Sequence, residues 1–335
     1  GQKDIIHFVG IGGIGMSGLA QIMRNMGFRI QGSDQNKNKN TISCFRAGIK
    51  IYLGHSRNNI KKATILVKSS AIKNNNIEIK YAKKNKIPIY SRAQVLADVV
   101  SLKKKIIITG SHGKTTTTSL VAKILSDQKL DPTIINGGVI NSFKSNAKLG
   151  KGEWAILEAD ESDGSFLKLP INYSIVTNID SEHLDFHGSF SNLENAFNNF
   201  ISSIPFYGFK VLCIDHPVVQ KLIPLNKDRR LLTYGLSTTA DVKATNIEYH
   251  ENITVFDLVL SNKILSPSRT WKKIILPMHG QHNVLNCLAS ICVAIEMGIS
   301  EKIIRTSLNK AFSLIDKAVK KNVLHKNNGA NKKSK

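Results

Sequence analysis

The chain has 335 residues, 41% of them hydrophobic, which is enough for two or three domains with separate cores. No apolar run approaches the ~18 residues of a membrane span, and no signal-type apolar segment opens the chain, so a membrane partner is not expected. The net charge of +23 comes from lysines scattered among Asn and Ile rather than gathered with aromatics on one face. It favours anionic substrates and argues against nucleic acid as a partner. Only Lys103-Lys-Lys105 and the last twenty residues form dense basic groups. The cysteines (Cys44, Cys213, Cys287, Cys292) have no CxxC spacing and read as reduced, packed thiols of a cytoplasmic protein.

In chain order, Asp4-Ile-Ile-His-Phe-Val9 is a buried strand that runs into Gly10-Ile-Gly12-Gly13-Ile14-Gly15-Met-Ser-Gly18. Leu19, Ile22, Met23 and Met26 follow at helical spacing until Gly27 stops the helix. Phe28 to Asp34 is a second strand, ending in an acid about 20 positions beyond the loop. This is a βαβ unit with a pyrophosphate-type G-x-G-x-x-G turn, and alone it would suggest an NAD-dependent dehydrogenase. Strands at 63–67 and 87–90, a polar turn at Lys68-Ser69-Ser70-Ala-Ile72 and a helix at 93–100 continue the α/β alternation. Ser101 to Lys105 is a polar break.

Ile106-Ile-Ile-Thr-Gly110-Ser111-His112-Gly113-Lys114-Thr115-Thr116-Thr-Thr118 is strand, phosphate loop and helix. Gly residues let backbone N–H groups converge on an anion at a helix N-terminus. Lys114 can reach terminal phosphates, and the Thr115 hydroxyl can meet Mg²⁺. The strict G-x-x-x-x-G-K-[ST] pattern is not met, because Ile108 occupies its first Gly position. Trp154 to Leu157 is a strand ending in Glu158-Ala-Asp160-Glu161-Ser-Asp163, placed where an α/β nucleotide fold keeps its metal. Tyr173 to Thr177 is another, ending in Asn178-Ile-Asp180-Ser-Glu182-His183-Leu-Asp185, so His183 is a candidate second ligand. Strands at 209–214 and 230–234 extend the sheet, and residues 240–275 alternate as antiparallel strands do. Gly280-Gln-His282-Asn283-Val-Leu-Asn286 opens a helix through Ile295.

These features together, the Gly10–Gly18 loop, Gly110-Ser-His-Gly-Lys-Thr115, the Glu158 and His183 strand ends and Gly280-Gln-His-Asn-Val-Leu-Asn286, resemble the Mur ligases of peptidoglycan synthesis. Gly32-Ser-Asp34 and Ser69-Ser-Ala-Ile72 resemble the ligase that acts first in that series. The resemblance implies an ATP-dependent acid–amino-acid ligase. ATP would phosphorylate the lactyl carboxylate of UDP-N-acetylmuramate, and the amine of L-alanine would displace phosphate from the acyl phosphate. Lys114, Glu158 and His183 would be catalytic, with Thr115, Glu158 and His183 holding Mg²⁺. Gly110, Ser111, His112, Gly113, Lys114, Thr115 and Thr116 would hold the phosphates of ATP, with His282, Asn283 and Asn286 facing adenine and ribose. Gly12, Gly13, Ile14, Gly15, Asp34, Ser69 and Ser70 would hold the uridine diphosphate.

The fold class so implied is α/β: a Rossmann-like UDP-substrate domain at 1–101, then a P-loop-type ATP-binding domain at 102–315. The family's third domain should enter after Leu308-Asn-Lys-Ala-Phe312 through a Gly-Val-x-Arg-Arg-Phe linker. Ser313-Leu-Ile-Asp-Lys-Ala-Val-Lys-Lys321 stands there instead. Residues 316–335 carry seven lysines and little apolar content, read as a disordered basic tail that resembles no part of the family. The expectation is a ligase of this family without the third domain; the alternatives are a nucleotide-binding remnant or one half of a split ligase, whose partner would be a separately encoded C-terminal domain, and more remotely the NAD-dependent dehydrogenase.

Overall fold

The structure, a computed structural model, describes residues 4–69, 71–135, 147–159, 171–181, 188–226 and 230–311. Two compact units divide the chain: Gly1–Lys103 with Phe143–Lys151, and Lys104–Ser142 with Gly152–Lys335. Among the described residues no helix is long and apolar enough to cross a membrane.

The first unit alternates strand and helix: β1 (Ile5–Val9), α1 (Ile14–Asn25), β2 (Arg29–Asp34), α2 (Lys39–Arg46), β3 (Lys50–Leu53), β4 (Ile65–Lys68), α3 (Ile77–Lys84), β5 (Ile89–Ser91) and α4 (Arg92–Ser101). The strands make one parallel sheet in the order β3-β2-β1-β4-β5. Parallel strands covered on both faces should be apolar runs, and Ile6, Phe8, Val9, Leu66 and Val67 are all buried. Helices α2 and α3 were not expected from the sequence. Asn38 starts α2 with a capping box, accepting from the Asn40 and Thr41 N–H groups while Thr41 Oγ1 receives the Asn38 N–H. Asn76 caps α3 through the Glu78 N–H.

The second unit holds β6 (Lys104–Thr109), α5 (Lys114–Asp127), β7 (Thr133–Ile135), β8 (Trp154–Glu158), β9 (Tyr173–Val176), α6 (Phe190–Ser202), β10 (Phe209–Cys213), α7 (Pro217–Leu222), β11 (Leu231–Gly235), β12 (Val242–Tyr249), β13 (Thr254–Leu260), β14 (Arg269–Leu276), α8 (Gln281–Glu296) and α9 (Glu301–Asn309). Its sheet runs β14-β13-β12-β11-β10-β9-β6-β8-β7. Pairing is parallel from β7 to β12, and antiparallel for β12–β13 and β13–β14, as the alternation at 240–275 implied. Period-two alternation splits the core. Ile106 and Ile108 pack with Leu120, Ile124, Leu288 and Ile291 of α5 and α8, whereas Ile107 packs with Leu193, Phe197 and Phe200 of α6.

One boundary differs from the sequence reading. Lys104 and Lys105, read as part of a polar break, belong to β6. Asn172 pairs with the Lys105 backbone twice, its Oδ1 accepting the Lys105 N–H at 2.9 Å and its own N–H reaching the Lys105 carbonyl at 3.2 Å. The Lys105 side chain is 1% exposed, and burial pushes its pKa down. The strand pairing outweighs the polarity of the side chain.

Candidate functional site

The phosphate loop of the second unit follows the central strand β6. Parallel register sets Ile108 beside Glu158 of β8 and Thr109 beside Val176 of β9, so three strand ends converge there. Gly113 is the N-cap of α5, with φ +84°, and makes no side-chain cap. A Cβ on it would come within 2.3 Å of Asn286 Oδ1; one on Gly110, φ +129°, would meet Thr177 Oγ1 at 2.2 Å. Both positions therefore need glycine, for conformation and for space. The uncapped first turn of α5 leaves its N–H groups and dipole for an anion.

The loop is held from outside by residues the sequence reading passed over as a polar strand end. Asn178 Oδ1 accepts the His112 N–H at 2.7 Å, and its amide nitrogen donates to the His112 carbonyl at 3.1 Å. Thr177 Oγ1 donates to that carbonyl at 2.7 Å, the Ser111 N–H reaches the Asn178 carbonyl at 3.2 Å, and the Asp180 N–H reaches Ser111 Oγ at 2.9 Å. Asp180 also meets the rings of His112 (3.5 Å) and His216 (3.2 Å). The only sequence signal was the polarity of Asn178 and Asp180 just past a buried strand. Asn178→Ala removes both halves of the His112 grip while leaving the core untouched. It is expected to weaken ATP binding about tenfold by loosening the loop, and to lower the melting temperature by only a few degrees, about two net hydrogen bonds' worth. Isothermal calorimetry with ATP checks this.

Of the remaining second-unit candidates, Lys114, Thr115, Thr116, Glu158 and Asn286 fall around the same loop. Lys114 Nζ lies on the carbonyl oxygens of Gly110 and Ser111. Thr115 Oγ1 donates to Glu158 Oε2 at 3.3 Å, and Glu158 is 4% exposed. Thr116 sits half-buried in the first turn of α5. Asn286 is buried beneath the loop, its Oδ1 accepting from Thr117 Oγ1 at 3.3 Å. It supports the phosphate loop here. Asn283 turns its amide back to the His279 carbonyl at 2.9 Å, and His282 is exposed. His183 lies outside the described residues, as do Asp160, Glu161, Asp163 and Asp185.

A hydroxyl and a buried carboxylate meeting at the mouth of a phosphate loop are hard oxygen donors of the kind Mg²⁺ takes, so Thr115 and Glu158 fit that ion. Among the described residues no three His, Cys, Asp or Glu side chains gather as a metal cluster.

In the first unit a cavity of about 510 Å³ opens at the strand ends, lined by Gly10, Gly13, Asp34, His55, Ser69 and Lys73 among others. The acid at the end of β2 braces the glycine turn, since Asp34 Oδ2 accepts the Gly12 N–H at 2.8 Å and Oδ1 the Asn36 N–H at 3.1 Å. Asn40 adds an amide donor to the Gly12 carbonyl at 2.8 Å. The Gly12 N–H is thus already engaged, and Ile14 and Gly15 open α1, which has no side-chain cap at Gly13. Ser69 lines the cavity; Ser70 lies outside the described residues. Sequence reading missed His55 altogether.

Two α/β units, each with a glycine turn entering a helix and one with a hydroxyl–carboxylate pair beside it, define a two-domain nucleotide-binding protein. Comparison with known proteins is specific. The family model described as Mur ligase middle domain matches residues 108–294, and that described as Mur ligase family, catalytic domain, matches residues 5–104. The UDP-N-acetylmuramate–L-alanine ligase of Rhodospirillum rubrum is 50% identical over 303 residues, 90% of this chain and 63% of the relative. The ligase of the same name from Parvibaculum lavamentivorans is also 50% identical, over 62% of its length. The crystal structure of the Thermotoga maritima UDP-N-acetylmuramate–alanine ligase superposes with a TM-score of 0.54 at 28% identity, covering 90% of this chain and 67% of that one. The chain belongs to the Mur ligase family. It spans somewhat under two thirds of the length of these curated relatives.

A third family model, ribosomal protein S20, matches residues 290–335. Its first part covers Ile291 to Ala294 of α8, which are buried in the core shared with β6 and α5, and then α9. Those residues, with Ile304 and Leu308 of α9, pack into the core of the second unit. Residues 312–335, the Lys-rich end, lie outside the described residues and beyond the Mur ligase matches.

Proposed function

We propose that the protein acts in the ATP-dependent joining of L-alanine to the lactyl carboxylate of UDP-N-acetylmuramate, in the cytoplasm, as the first amino-acid addition of peptidoglycan synthesis. The observation that carries this is the gathering of Lys114, Thr115 and Glu158 at the end of β6, in a chain half identical to ligases of that name. In this reading residues 1–101 bind the uridine diphosphate on Gly13, Ile14, Gly15, Ser69 and Ser70, with Asp34 and Gly12 shaping the turn. Residues 102–315 bind ATP, and 316–335 form a basic tail. The four buried free thiols fit a reducing compartment.

The chemistry asks mainly for positioning and charge neutralisation. A lactyl carboxylate oxygen attacks the γ-phosphorus, ADP leaves, and an acyl phosphate results. The alanine amine then attacks the acyl carbon, and phosphate departs as the amide forms. Lys114 and the N–H groups opening α5 offset charge on the transferring phosphoryl group. Thr115 and Glu158, joined by His183, would hold Mg²⁺, which offsets the remaining phosphate charge. His282 and Asn283, in the first turn of α8, would face adenine and ribose, while Asn286 steadies the loop.

The test is phosphate release with ATP, Mg²⁺, UDP-N-acetylmuramate and L-alanine, each omitted in turn. Release that needs all four supports the reading for this chain alone. Silence with both nucleotides still bound assigns the missing step to a third domain, in cis or on a separate chain. Silence without binding of either overturns it.

A further inference from the structure

The first unit contains a buried polar chain that ends at the cavity. Gln31 Nε2 donates to the Asn59 carbonyl at 2.8 Å, which fixes the amide's orientation, and also faces His7 Nδ1 at 3.1 Å. His7 Nδ1 is therefore an acceptor, and its Nε2–H points to Ser33 Oγ (3.3 Å) and Glu78 Oε2 (3.5 Å). Ser33 Oγ–H donates to Glu78 Oε2 at 2.6 Å. Asn59 Nδ2 and the Ser56 N–H donate to Oε1 at 2.7 and 3.2 Å. Glu78 is wholly buried, and every neighbour offers it a proton, so it is a carboxylate that only accepts.

His55 is the last member. Its Nδ1 lies 3.1 Å from both Glu78 Oε2 and Ser33 Oγ, whose own proton is already committed, so Nδ1 must carry the hydrogen. The neutral ring then presents Nε2 as a lone pair. The side chain is 8% exposed and lines the cavity, and among the described residues Nε2 has no hydrogen-bond partner. An acceptor has thus been fixed in place, on a ring that lines a ligand space.

Its position tells which part of a ligand it meets. In a parallel sheet of this kind a diphosphate sits at the first strand–helix turn, and the ribose near the acid that ends the second strand. Here these are Gly10–Gly15 and Asp34, both on the cavity. His55 follows β3, the neighbour of β2 on the far side from β1, so it lies one step further along, at the base.

We propose that His55 is a specificity-determining residue of the first unit, its Nε2 accepting the imide N–H of a uracil base. Cytosine has no hydrogen on that nitrogen and would set lone pair against lone pair. This rests on the uridine-nucleotide reading above and deepens it.

The experiment is calorimetric titration of the full chain with UDP, CDP and 3-methyl-UDP, which share one diphosphate. The wild-type chain is expected to favour UDP over both others by about 10–100-fold, the usual cost of a desolvated polar mismatch. In His55→Ala, UDP should weaken to the level of CDP while CDP itself changes less than about twofold. A purely structural His55 would weaken all three alike, and that overturns the proposal. Equal binding of UDP and CDP to the wild type overturns it without any variant, and leaves the uridine-diphosphate reading standing. If neither UDP nor UDP-N-acetylmuramate binds the wild type, that underlying reading fails, and this inference with it.

Discussion

Lys114→Ala is expected to lower ATP-dependent phosphate release by about 10²–10³-fold, the scale seen when one preorganised donor to a developing charge is removed. Lys114 is the first residue of α5, and its ammonium lies on the Gly110 and Ser111 carbonyls at the mouth of the loop. From there a small rotation carries it to a phosphate. Alanine is a good helix former and the position is only half-buried, so the melting temperature should hold. Lys114→Arg keeps the charge but brings a planar fork into a turn of close-packed glycines, and should recover little of the rate. Activity within tenfold of wild type in the alanine variant would remove Lys114 from the chemistry. Loss of activity together with loss of the folded state would say nothing of charge, so a melt accompanies each assay.

Much of this loop was legible because its signal is local. Ile106-Ile-Ile-Thr109, a glycine turn and Gly113-Lys-Thr115 announce strand, loop and helix within a dozen residues, and β6 and α5 follow that plan. The grip on the loop was not legible. Asn178 holds His112 across 66 positions, and only the parallel pairing of β6 with β9 brings them together. Asn286 shows the same limit differently: its spacing from Asn283 put it on a polar face, yet tertiary packing buries it under Gly113. Lys105 was misread because residue type alone assigns a lysine to solvent.

The first unit repeats the contrast. The Gly10–Gly18 turn and the acid ending β2 were readable at fixed offsets, but the reason for the acid was not: Asp34 ties down the Gly12 N–H. Glu78 sits in Asn74-Asn-Asn-Ile-Glu78, a stretch any composition-based reading leaves in water. Three separate segments, His7 in β1, Ser33 near the end of β2 and His55 to Asn59 after β3, turn toward it only in the folded chain.

That network makes the second large prediction. Burial pushes the Glu78 carboxyl up, but hydrogen bonds from His7, Ser33 and the Asn59 amide outweigh it and hold the group at about 2, below its ordinary 4.5. The pKa is lower in the folded state, so the carboxylate's contribution is complete above about 4.5 and is lost as pH falls from there toward 2. Glu78→Gln turns an acceptor-only group into one that must aim an N–H at existing donors. It should cost about 2–3 kcal/mol near pH 6, more than a surface change can. The difference between wild type and variant should then shrink by about half or more by pH 3, where the wild type is losing what the variant never had. Asp127 and Asp257 in the second unit also have lowered pKa values, through hydrogen bonds from Lys123 and Ser307, and from Asn246 and Lys272. They add to acid sensitivity in both proteins alike and cancel in the comparison. Hydrogen exchange of β1 and β2 amides at pH 6 and pH 3 isolates the first unit from the second. A gap that stays constant with pH would mean that Glu78 is held by shape, with its charge contributing nothing. A gap that closes toward acid would identify one buried carboxylate as the anchor for Ser33, His55 and the cavity they border.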